Sequence, residues 1–236
     1  MLLALWSPKG GSGTSVMVAA CALVLARDAN GARIADVTGD QPAIFGLAAD
    51  PDTGIVDWLA TGPEAPVDAL ERLAVTVAPG VSLVPRGSTD RSLAPLPAAE
   101  SGAALAVTLR DGPVPTIVDA GAASAPAARA LVEVADASVV VLRGCYLALR
   151  RAVHSPLLSR AAGIVLMEEQ GRSLGPSEVR DVVDRPVLAR VPVRSPIARA
   201  VDAGVLAARL PDALSRAAAR LLTRVGVRLE RHGEAA

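Results

Sequence analysis

The apolar residues of this chain fall into two alternating patterns that predict its secondary structure. Short runs that are apolar at nearly every position predict strands, and longer stretches with apolar residues three or four apart predict helices. The predicted strands are Leu2–Trp6, Arg33–Val37, Val81–Pro85, Thr116–Asp119, Ser138–Leu142, Gly163–Met167 and Val187–Val191. The predicted helices cover residues 14–28, 54–60, 64–72, 97–110, 124–135, 146–161, 176–183, 195–203 and 211–231.

The strands lack the alternation of a sheet that has one face in solvent. Every residue of 139–142 is apolar, as expected of a strand that is buried on both faces. Such strands, alternating with helices, predict an α/β fold: a doubly wound, mostly parallel sheet with helices on both faces. With 236 residues and no internal repeat, the chain is expected to form a single domain over 1–236. The Gly-, Ser- and Pro-rich segment 85–97 is interpreted as a loop rather than a domain boundary.

Composition narrows the possible classes of protein. The net charge is zero, so contact with nucleic acid or membrane would have to come from a local patch. The two cysteines are too few for a disulfide framework. The first apolar run is only a strand long and Lys9 follows it, which argues against a signal peptide. The longest apolar run, 16–26, has 11 residues and is too short to span a membrane, so we expect a soluble, cytoplasmic protein.

A glycine-rich loop between the first strand and the first helix is the strongest chemical signal. Glycines let successive backbone N–H groups curl around an anion, and the N-terminus of a helix adds partial positive charge. Lys9 is the only lysine among 24 basic residues, and its compact ammonium suits a phosphate cradle better than a guanidinium does. We predict a nucleotide-phosphate site, the alternative being a purely structural turn. The loop consists of Lys9, Gly10, Gly11, Ser12, Gly13, Thr14 and Ser15.

This loop resembles the deviant Walker A motif of the ParA/MinD family of P-loop NTPases, K-G-G-x-G-K-S/T. Lys9 corresponds to the signature lysine, which in the family reaches the nucleotide of the partner subunit. Ser15 corresponds to the hydroxyl residue that binds magnesium, whereas Thr14 replaces the second lysine, which contacts the β- and γ-phosphates. The loop is most similar to that of the divergent TadZ/CpaE branch of pilus-assembly proteins. The resemblance extends from Leu2 to about Leu222 and implies ATP, Mg²⁺ and a nucleotide-dependent homodimer.

Aspartates at the ends of two strands resemble the switch segments of the same family. Asp36 corresponds to the first aspartate of the switch I pair, and the second falls on Thr38. Asp40 would supply a displaced carboxylate or begin the turn before the next helix, and both alternatives stay open. Asp119 ends a strand that resembles Walker B, at the edge where open α/β sheets bind ligands. The resemblance implies catalytic roles for Lys9, Asp36 and Asp40, and magnesium ligation by Ser15, Asp36 and Asp119.

The base-binding end departs from the family pattern. Met167, Glu168 and Glu169 stand where the family usually carries an asparagine. The later segment 191–196 is similar to the base-side loop of the family, which implies that Pro192 contacts the nucleotide. Adenine is expected here only as the base that the family uses.

The stretch 211–231 predicts a terminal helix with an apolar face and a basic face. One interpretation is a helix that packs on the sheet with its arginines in solvent. The other is a basic strip that contacts anionic lipid or DNA phosphates. The arginines are Arg216, Arg220, Arg224, Arg228 and Arg231.

Two function hypotheses follow. Thr14 and Thr38 stand where the family has a lysine and an aspartate. The absence of one such well-placed charge would cost on the order of 2.7–4 kcal/mol of transition-state stabilisation. We therefore expect ATP binding coupled to dimerisation, with slow or absent hydrolysis. The leading hypothesis is a spatial-organisation protein that positions pilus or secretion machinery, with polarity proteins as partners and recruitment to the cell pole or inner membrane surface. The alternative is an active ParA/MinD-type ATPase for DNA partitioning or division-site placement.

Overall fold

The computed structural model of the protein describes residues 1–28, 31–87 and 99–227. The strands are β1 (Leu2–Trp6), β2 (Ala32–Asp36), β3 (Val75–Ala78), β4 (Val81–Val84), β5 (Thr116–Asp119), β6 (Ala137–Arg143), β7 (Ala161–Glu168) and β8 (Val187–Pro192). The helices are α1 (Thr14–Asp28), α2 (Gln41–Ile44), α3 (Ile55–Thr61), α4 (Val67–Leu73), α5 (Ala99–Arg110), α6 (Pro126–Val134), α7 (Tyr146–Val153), α8 (Pro176–Val183), α9 (Ser195–Asp202) and α10 (Asp212–Arg224).

All eight strands form one sheet in the order β3-β4-β2-β5-β1-β6-β7-β8. Only β3, at the edge, runs antiparallel to its neighbour, so the predicted mostly parallel α/β fold is confirmed. The carboxyl ends of the parallel strands lie at one edge of the sheet. The loop after β1 therefore lies between the ends of β5 and β6, and Asp36 is directly opposite Asp119 in the β2–β5 register.

Two hydrophobic layers cover the sheet. Helices α1, α2, α9 and α10 pack on one face, and α3 to α8 pack on the other. Helix α1 is apolar all round and is buried throughout residues 17–25, because α10 covers the side that faces away from the sheet. The helices pack through small side chains rather than through aromatic ones. A Cβ atom on Gly102 of α5 would lie 2.6 Å from the Cα atom of Ala127 in α6, so glycine permits this close helix contact.

The structure differs from the predicted elements in four places. Strand β3 and the four-residue helix α2 are too short to produce a periodic pattern. The predicted helix 146–161 ends at Val153, and a separate 3₁₀ helix starts at Pro156, which lacks the N–H that a continuing helix needs. The helix predicted over 211–231 ends at Arg224, and Gly226 follows with a left-handed φ of +88°. Its predicted part beyond residue 227, which includes Arg228, lies outside the described residues.

Candidate functional site

The loop between β1 and α1 lines a cavity of about 510 Å³ at the carboxyl edge of the sheet. Gly11 and Gly13 have φ angles of +71° and +88°, which glycine adopts without strain. A Cβ atom at Gly10 or Gly11 would meet no atom within 4 Å, so this wall of the cavity is bare backbone. The carbonyl oxygen of Lys9 accepts hydrogen bonds from the hydroxyls of Ser7 and Ser12, at 2.8 and 3.0 Å, which hold the loop curled.

Helix α1 begins at this loop with Thr14 and Ser15, which also line the cavity. The first-turn N–H groups of a helix have no intrahelical acceptors, and together they attract an anion. The Oγ1 atom of Thr14 is buried and has no hydrogen-bond partner within the described residues. A buried hydroxyl in that state costs about 1–3 kcal/mol, which a phosphate oxygen at the loop would offset. The loop therefore fits a phosphate group.

Two of the predicted nucleotide contacts do not line the cavity. Lys9 is the first residue of the loop and is half-buried, and its Nζ atom lies 3.4 Å from the carbonyl oxygen of Gly10. Pro192 ends β8, away from the loop. The predicted nucleotide contacts of Lys9 and Pro192 both stay predictions. The contact predicted for Lys9 is with the nucleotide of a partner subunit.

Asp36 is fully buried at the end of β2 and holds the following turn together. Its Oδ1 atom accepts hydrogen bonds from the backbone N–H of Thr38, the hydroxyl of Thr38 and the N–H of Gly39, at 2.9, 2.8 and 2.8 Å. Its Oδ2 atom accepts one from the N–H of Gln41 at 3.0 Å. Burial raises the pKa of Asp36, and these hydrogen bonds oppose the rise. Both oxygens are thus engaged within the turn, and the predicted catalytic and metal-binding roles would require an exchange of partners.

Asp119, also fully buried, lies next to this turn at the end of β5. Its Oδ2 atom accepts hydrogen bonds from Nε2 of Gln41 at 2.8 Å and from Oγ1 of Thr38 at 3.3 Å. Burial, and then repulsion by Asp36, raises the pKa of Asp119 to about 6. The same Gln41 amide donates to the carbonyl oxygen of Ser15 at 3.0 Å. Gln41 was not predicted from the sequence, because a lone glutamine in a four-residue helix gives no pattern.

Asp40 lies beside Ser15 at the mouth of the cavity. The hydroxyl of Ser15 donates to Oδ2 of Asp40 at 3.1 Å, and the Asp40 side chain makes no capping hydrogen bond to α2. Asp40 is also the N-cap residue of α2, and its carbonyl oxygen accepts a hydrogen bond from the N–H of Ile44 at 3.2 Å, so both alternatives for Asp40 stay predictions.

The oxygens around Ser15 have the chemistry that magnesium binding requires. The described residues contain no group of three or more acidic, histidine or cysteine side chains that would hold a metal alone. Mg²⁺ in NTPase sites typically takes one or two carboxylates and completes its shell with water and substrate phosphates. Ser15, Asp40 and Asp119 supply that partial set, so the residues fit Mg²⁺ bound together with a nucleotide.

Arg143 ends β6 and lines the same cavity from the side opposite Asp119. It forms an ion pair with Glu169, and Glu169 also accepts a 2.6 Å hydrogen bond from Arg172. Arg143 was likewise not predicted as part of the site. The available signal was an arginine that follows the apolar residues 139–142 at the end of a strand, at the ligand-binding edge.

A glycine-rich loop between a central parallel strand and a helix, with buried aspartates at neighbouring strand ends, defines the fold as that of a P-loop NTPase. The particular fold is that of the ParA/MinD ATPases. A ParA family ATPase from Chlorobium tepidum superposes with a TM-score of 0.75 at 20% identity, covering 92% of this chain and 95% of that one. MinD from Pyrococcus horikoshii, complexed with Mg-ADP, superposes with a TM-score of 0.77 at 19% identity, covering 95% of each chain.

A third similar structure is the MinC:MinD complex of Aquifex aeolicus, with a TM-score of 0.74 at 18% identity over 99% of each chain. No family model and no curated protein matches the sequence. At these identities the similarity establishes the fold. None of the helices in residues 1–28, 31–87 and 99–227 combines the length and apolarity that a transmembrane helix requires.

Proposed function

We propose that the protein binds ATP with Mg²⁺ and dimerises in response, as a spatial-organisation protein of the ParA/MinD type. The observation that carries this proposal is the loop from Lys9 to Ser15. Its glycine wall leaves open space for a phosphate group, and the buried Thr14 hydroxyl lacks a partner among the described residues. Magnesium would be held by Ser15 and Asp119, with Asp40 next to them and Asp36 supporting the turn.

Dimerisation through a deviant Walker A lysine is the second part of the proposal. Lys9 does not line the cavity of its own chain, and within residues 1–28, 31–87 and 99–227 its Nζ atom makes one long hydrogen bond, to Gly10. That position leaves its ammonium available to a nucleotide held by a neighbouring subunit. The MinD structure complexed with MinC belongs to a protein that assembles with a second protein, which supports a protein partner for this chain.

Slow or absent hydrolysis follows from two neutral side chains. Thr14 offers one hydroxyl where a lysine would offer an ammonium. Thr38 donates its hydroxyl to Asp36 and Asp119, so it supplies no carboxylate to order an attacking water. A silent site of this kind suits a scaffold of the TadZ/CpaE type that positions pilus or secretion machinery at the pole or inner membrane surface.

An active partitioning or division-site ATPase is the second candidate. The position of Asp40 favours this second candidate, because the Asp40 carboxylate lies 3.1 Å from the Ser15 hydroxyl and Asp40 lines the cavity. That carboxylate is one residue away from α2 and could take the place of the missing switch I aspartate.

The basic face of α10 is proposed as a contact for anionic lipid or DNA phosphates. The opposite face is packed, with Leu214, Leu221 and Leu222 buried. Arg216 is 67% exposed and faces Asp212 at 4.0 Å, and Arg220 and Arg224 are also exposed. Arginines that remain in solvent after the helix has docked are free to contact a polyanion.

Calorimetry and sedimentation together test the proposal. ATP with Mg²⁺ should bind with a dissociation constant between about 1 μM and 1 mM, corresponding to roughly −8 to −4 kcal/mol. ATP should shift the sedimentation coefficient towards a dimer, and Lys9→Ala should remove the shift. Because the Lys9 side chain makes one long hydrogen bond in the part of the chain that the structure describes, the apo variant should melt like the wild type. No heat with ATP, ADP or GTP at millimolar concentration would refute nucleotide binding, and a dimer indifferent to ATP and to Lys9 would refute the signature role of Lys9.

A further inference from the structure

The cavity at the phosphate loop has one basic side chain among its described lining residues, that of Arg143. Strand β6, which ends in Arg143, pairs with β1, and β1 leads directly into the loop. Because β1 lies between β5 and β6, Arg143 flanks the loop on the side opposite Asp119.

The contacts of Arg143 leave part of its guanidinium without a protein partner. Its Nη1 atom donates to Glu169, while its Nε atom is buried and has no hydrogen-bond partner within the described residues. The side chain is 32% exposed, so the guanidinium is held at the cavity wall rather than extended into solvent. A guanidinium has five N–H donors, and a planar fork of two of them matches the oxygens of a phosphate.

The charges around Arg143 do not cancel. Glu169 forms ion pairs with both Arg143 and Arg172, so two positive charges share one negative charge and the cluster carries a net charge of +1. Hydrogen bonding by Arg172, aided by the charges of both arginines, lowers the pKa of Glu169, which is therefore ionised at neutral pH. The adjacent pair of Arg190 and Glu168 is neutral as a unit and adds no compensating charge.

We propose that Arg143 binds the phosphate groups of the nucleotide and supplies, from β6 of the same chain, a cation that Thr14 does not provide. The inference rests on the proposed function, since it adds one contact to the same nucleotide site. Arg143 is in this scheme a ligand-binding residue, and Glu169 positions it. Arg172 provides a matched control, because it shares Glu169 and carries the same charge but does not line this cavity.

Calorimetric titration of ATP with Mg²⁺ into the wild type, Arg143→Ala, Arg143→Lys and Arg172→Ala tests the assignment. Losing charge-assisted hydrogen bonds to a phosphate should weaken binding by roughly 10- to 100-fold in Arg143→Ala. Arg143→Lys should recover part of that loss. Arg172→Ala should stay within about threefold of the wild type, because the Arg172 side chain is 47% exposed and its charge is screened by solvent. The affinity of Arg143→Ala should also depend less on salt concentration than that of the wild type.

The outcomes separate this inference from the proposed function. If the wild type binds no nucleotide, the proposed function fails and the inference fails with it. If the wild type binds ATP and Arg143→Ala binds it equally well, only the inference is overturned. Equal losses of ATP affinity in Arg143→Ala and Arg172→Ala would also overturn the inference, because they would indicate a general electrostatic effect of positive charge rather than a direct contact. If Arg143→Ala melts well below the wild type, Arg143→Gln replaces it, since glutamine keeps an amide donor for Glu169 without the charge.

Discussion

Gln41 and Asp119 are joined by a 2.8 Å hydrogen bond between two fully buried side chains. Because the same amide nitrogen also donates to the carbonyl oxygen of Ser15, the glutamine connects three segments: the start of α1, the turn after β2 and the end of β5. The hydroxyl of Thr38 is a second donor to the Oδ2 atom of Asp119, at 3.3 Å. A cation that binds Asp119 must therefore compete with, or rearrange around, the Gln41 amide.

Replacing Gln41 with leucine should destabilise the protein in a pH-dependent way. Gln41→Leu removes a donor to a buried carboxylate, which should lower the free energy of unfolding by about 1–3 kcal/mol at pH 7.5. The bond favours the ionised carboxylate, and the pKa of Asp119 is about 6, so the cost should shrink as the pH falls below that value. Urea denaturation at pH 7.5 and 4.5 measures both quantities. The exposed Gln170→Leu change is the control, and equal costs at both pH values would contradict this account.

Replacing Asp119 with asparagine should stabilise the protein at neutral pH. Folding raises the pKa of Asp119 from its ordinary value of 3.8 to about 6, so the ionised carboxylate is disfavoured in the folded state. The contribution of Asp119 to the stability of the wild type is therefore greatest below pH 4, and this contribution is lost as the pH rises through 6. Asp119→Asn keeps an oxygen that accepts from Gln41 and should gain about 2–3 kcal/mol at pH 7.5.

The pH dependence of that gain is the decisive measurement. The difference between Asp119→Asn and the wild type should become small towards pH 4 and vanish below the ordinary pKa of 3.8, where the wild-type carboxyl is protonated in both states. A gain that is constant from pH 4 to pH 8 would mean that packing, rather than charge, distinguishes the two proteins. Mg²⁺ added with ATP should stabilise the wild type and have little effect on the variant.

The fold was predictable because most strand positions are apolar, without the alternation of a half-exposed sheet, and most helices are periodic. That combination has few solutions other than a buried parallel sheet between two helical layers, and it correctly located β1 and α1 on either side of the phosphate loop. Strand β3 was missed because four residues at an exposed edge carry no such signal. The end of α10 was missed because the apolar period of the sequence continues past Gly226, whereas the helix ends at Arg224.

The site was only partly predictable, for a different reason. Asp36 and Asp119 follow strands, and the parallel sheet brings strand ends together, so their proximity could be inferred. The contacts of Gln41 and Arg143 depend on side-chain directions in the folded chain, which neither spacing nor periodicity encodes. The engagement of both Asp36 oxygens within the turn was also invisible, because it depends on the backbone conformation of residues 37–41.

Gly10→Ala should separate nucleotide binding from folding. A Cβ atom at Gly10 would meet no atom within 4 Å and would point into open space at the cavity, so the melting temperature should be nearly unchanged. A methyl group on this wall should still obstruct a phosphate, and we expect ATP affinity to fall at least about tenfold, the effect of roughly 1.4 kcal/mol.

Gly121→Ala provides the contrasting variant. Its Cβ atom would lie 2.5 Å from Cγ2 of Thr38, and its φ of +53° is strained for alanine, so this change should lower the melting temperature. Thermal melts and calorimetry on both variants check the pair. Unchanged ATP binding by folded Gly10→Ala would count against the loop as the phosphate site.

The exposed arginines of α10 should govern any binding to anionic lipid. Changing three of them to glutamine leaves the buried leucine face intact, so the fold should survive while vesicle binding falls. A polybasic surface gains about 1 kcal/mol per basic residue near an anionic membrane, so the triple change should cost up to about 3 kcal/mol. The changes are Arg216→Gln, Arg220→Gln and Arg224→Gln.

Co-sedimentation with phosphatidylserine vesicles and with a random DNA duplex distinguishes the two polyanions. The control carries the same loss of charge on the opposite face of the sheet, through three other exposed arginines of α7 and α8. Equal losses in both triple variants would indicate that net charge, not the α10 face, is responsible. The control changes are Arg150→Gln, Arg151→Gln and Arg180→Gln.

Hydrolysis of ATP should be close to background in the wild type and should require two changes to appear. The departing γ-phosphate spreads negative charge over three oxygens, and Thr14 can stabilise that charge only through its neutral hydroxyl. Thr14→Lys alone lacks a carboxylate to order the water. Thr38→Asp alone would place a third carboxylate against Asp36 and Asp119, because the Thr38 hydroxyl lies 2.8 and 3.3 Å from their oxygens, and should destabilise the apo protein.

In the double variant, the lysine and Mg²⁺ together offset that added negative charge, so turnover should rise by roughly a hundred- to a thousandfold above the wild type. Phosphate release under saturating ATP measures this, and adding Asp119→Ala to the double variant should abolish it. The opposite result is also informative. If the wild type already turns over ATP as fast as the double variant, the neutral side chains at Thr14 and Thr38 do not limit the chemistry. Asp40 would then be the carboxylate that orders the water, and the partitioning or division-site ATPase would replace the scaffold.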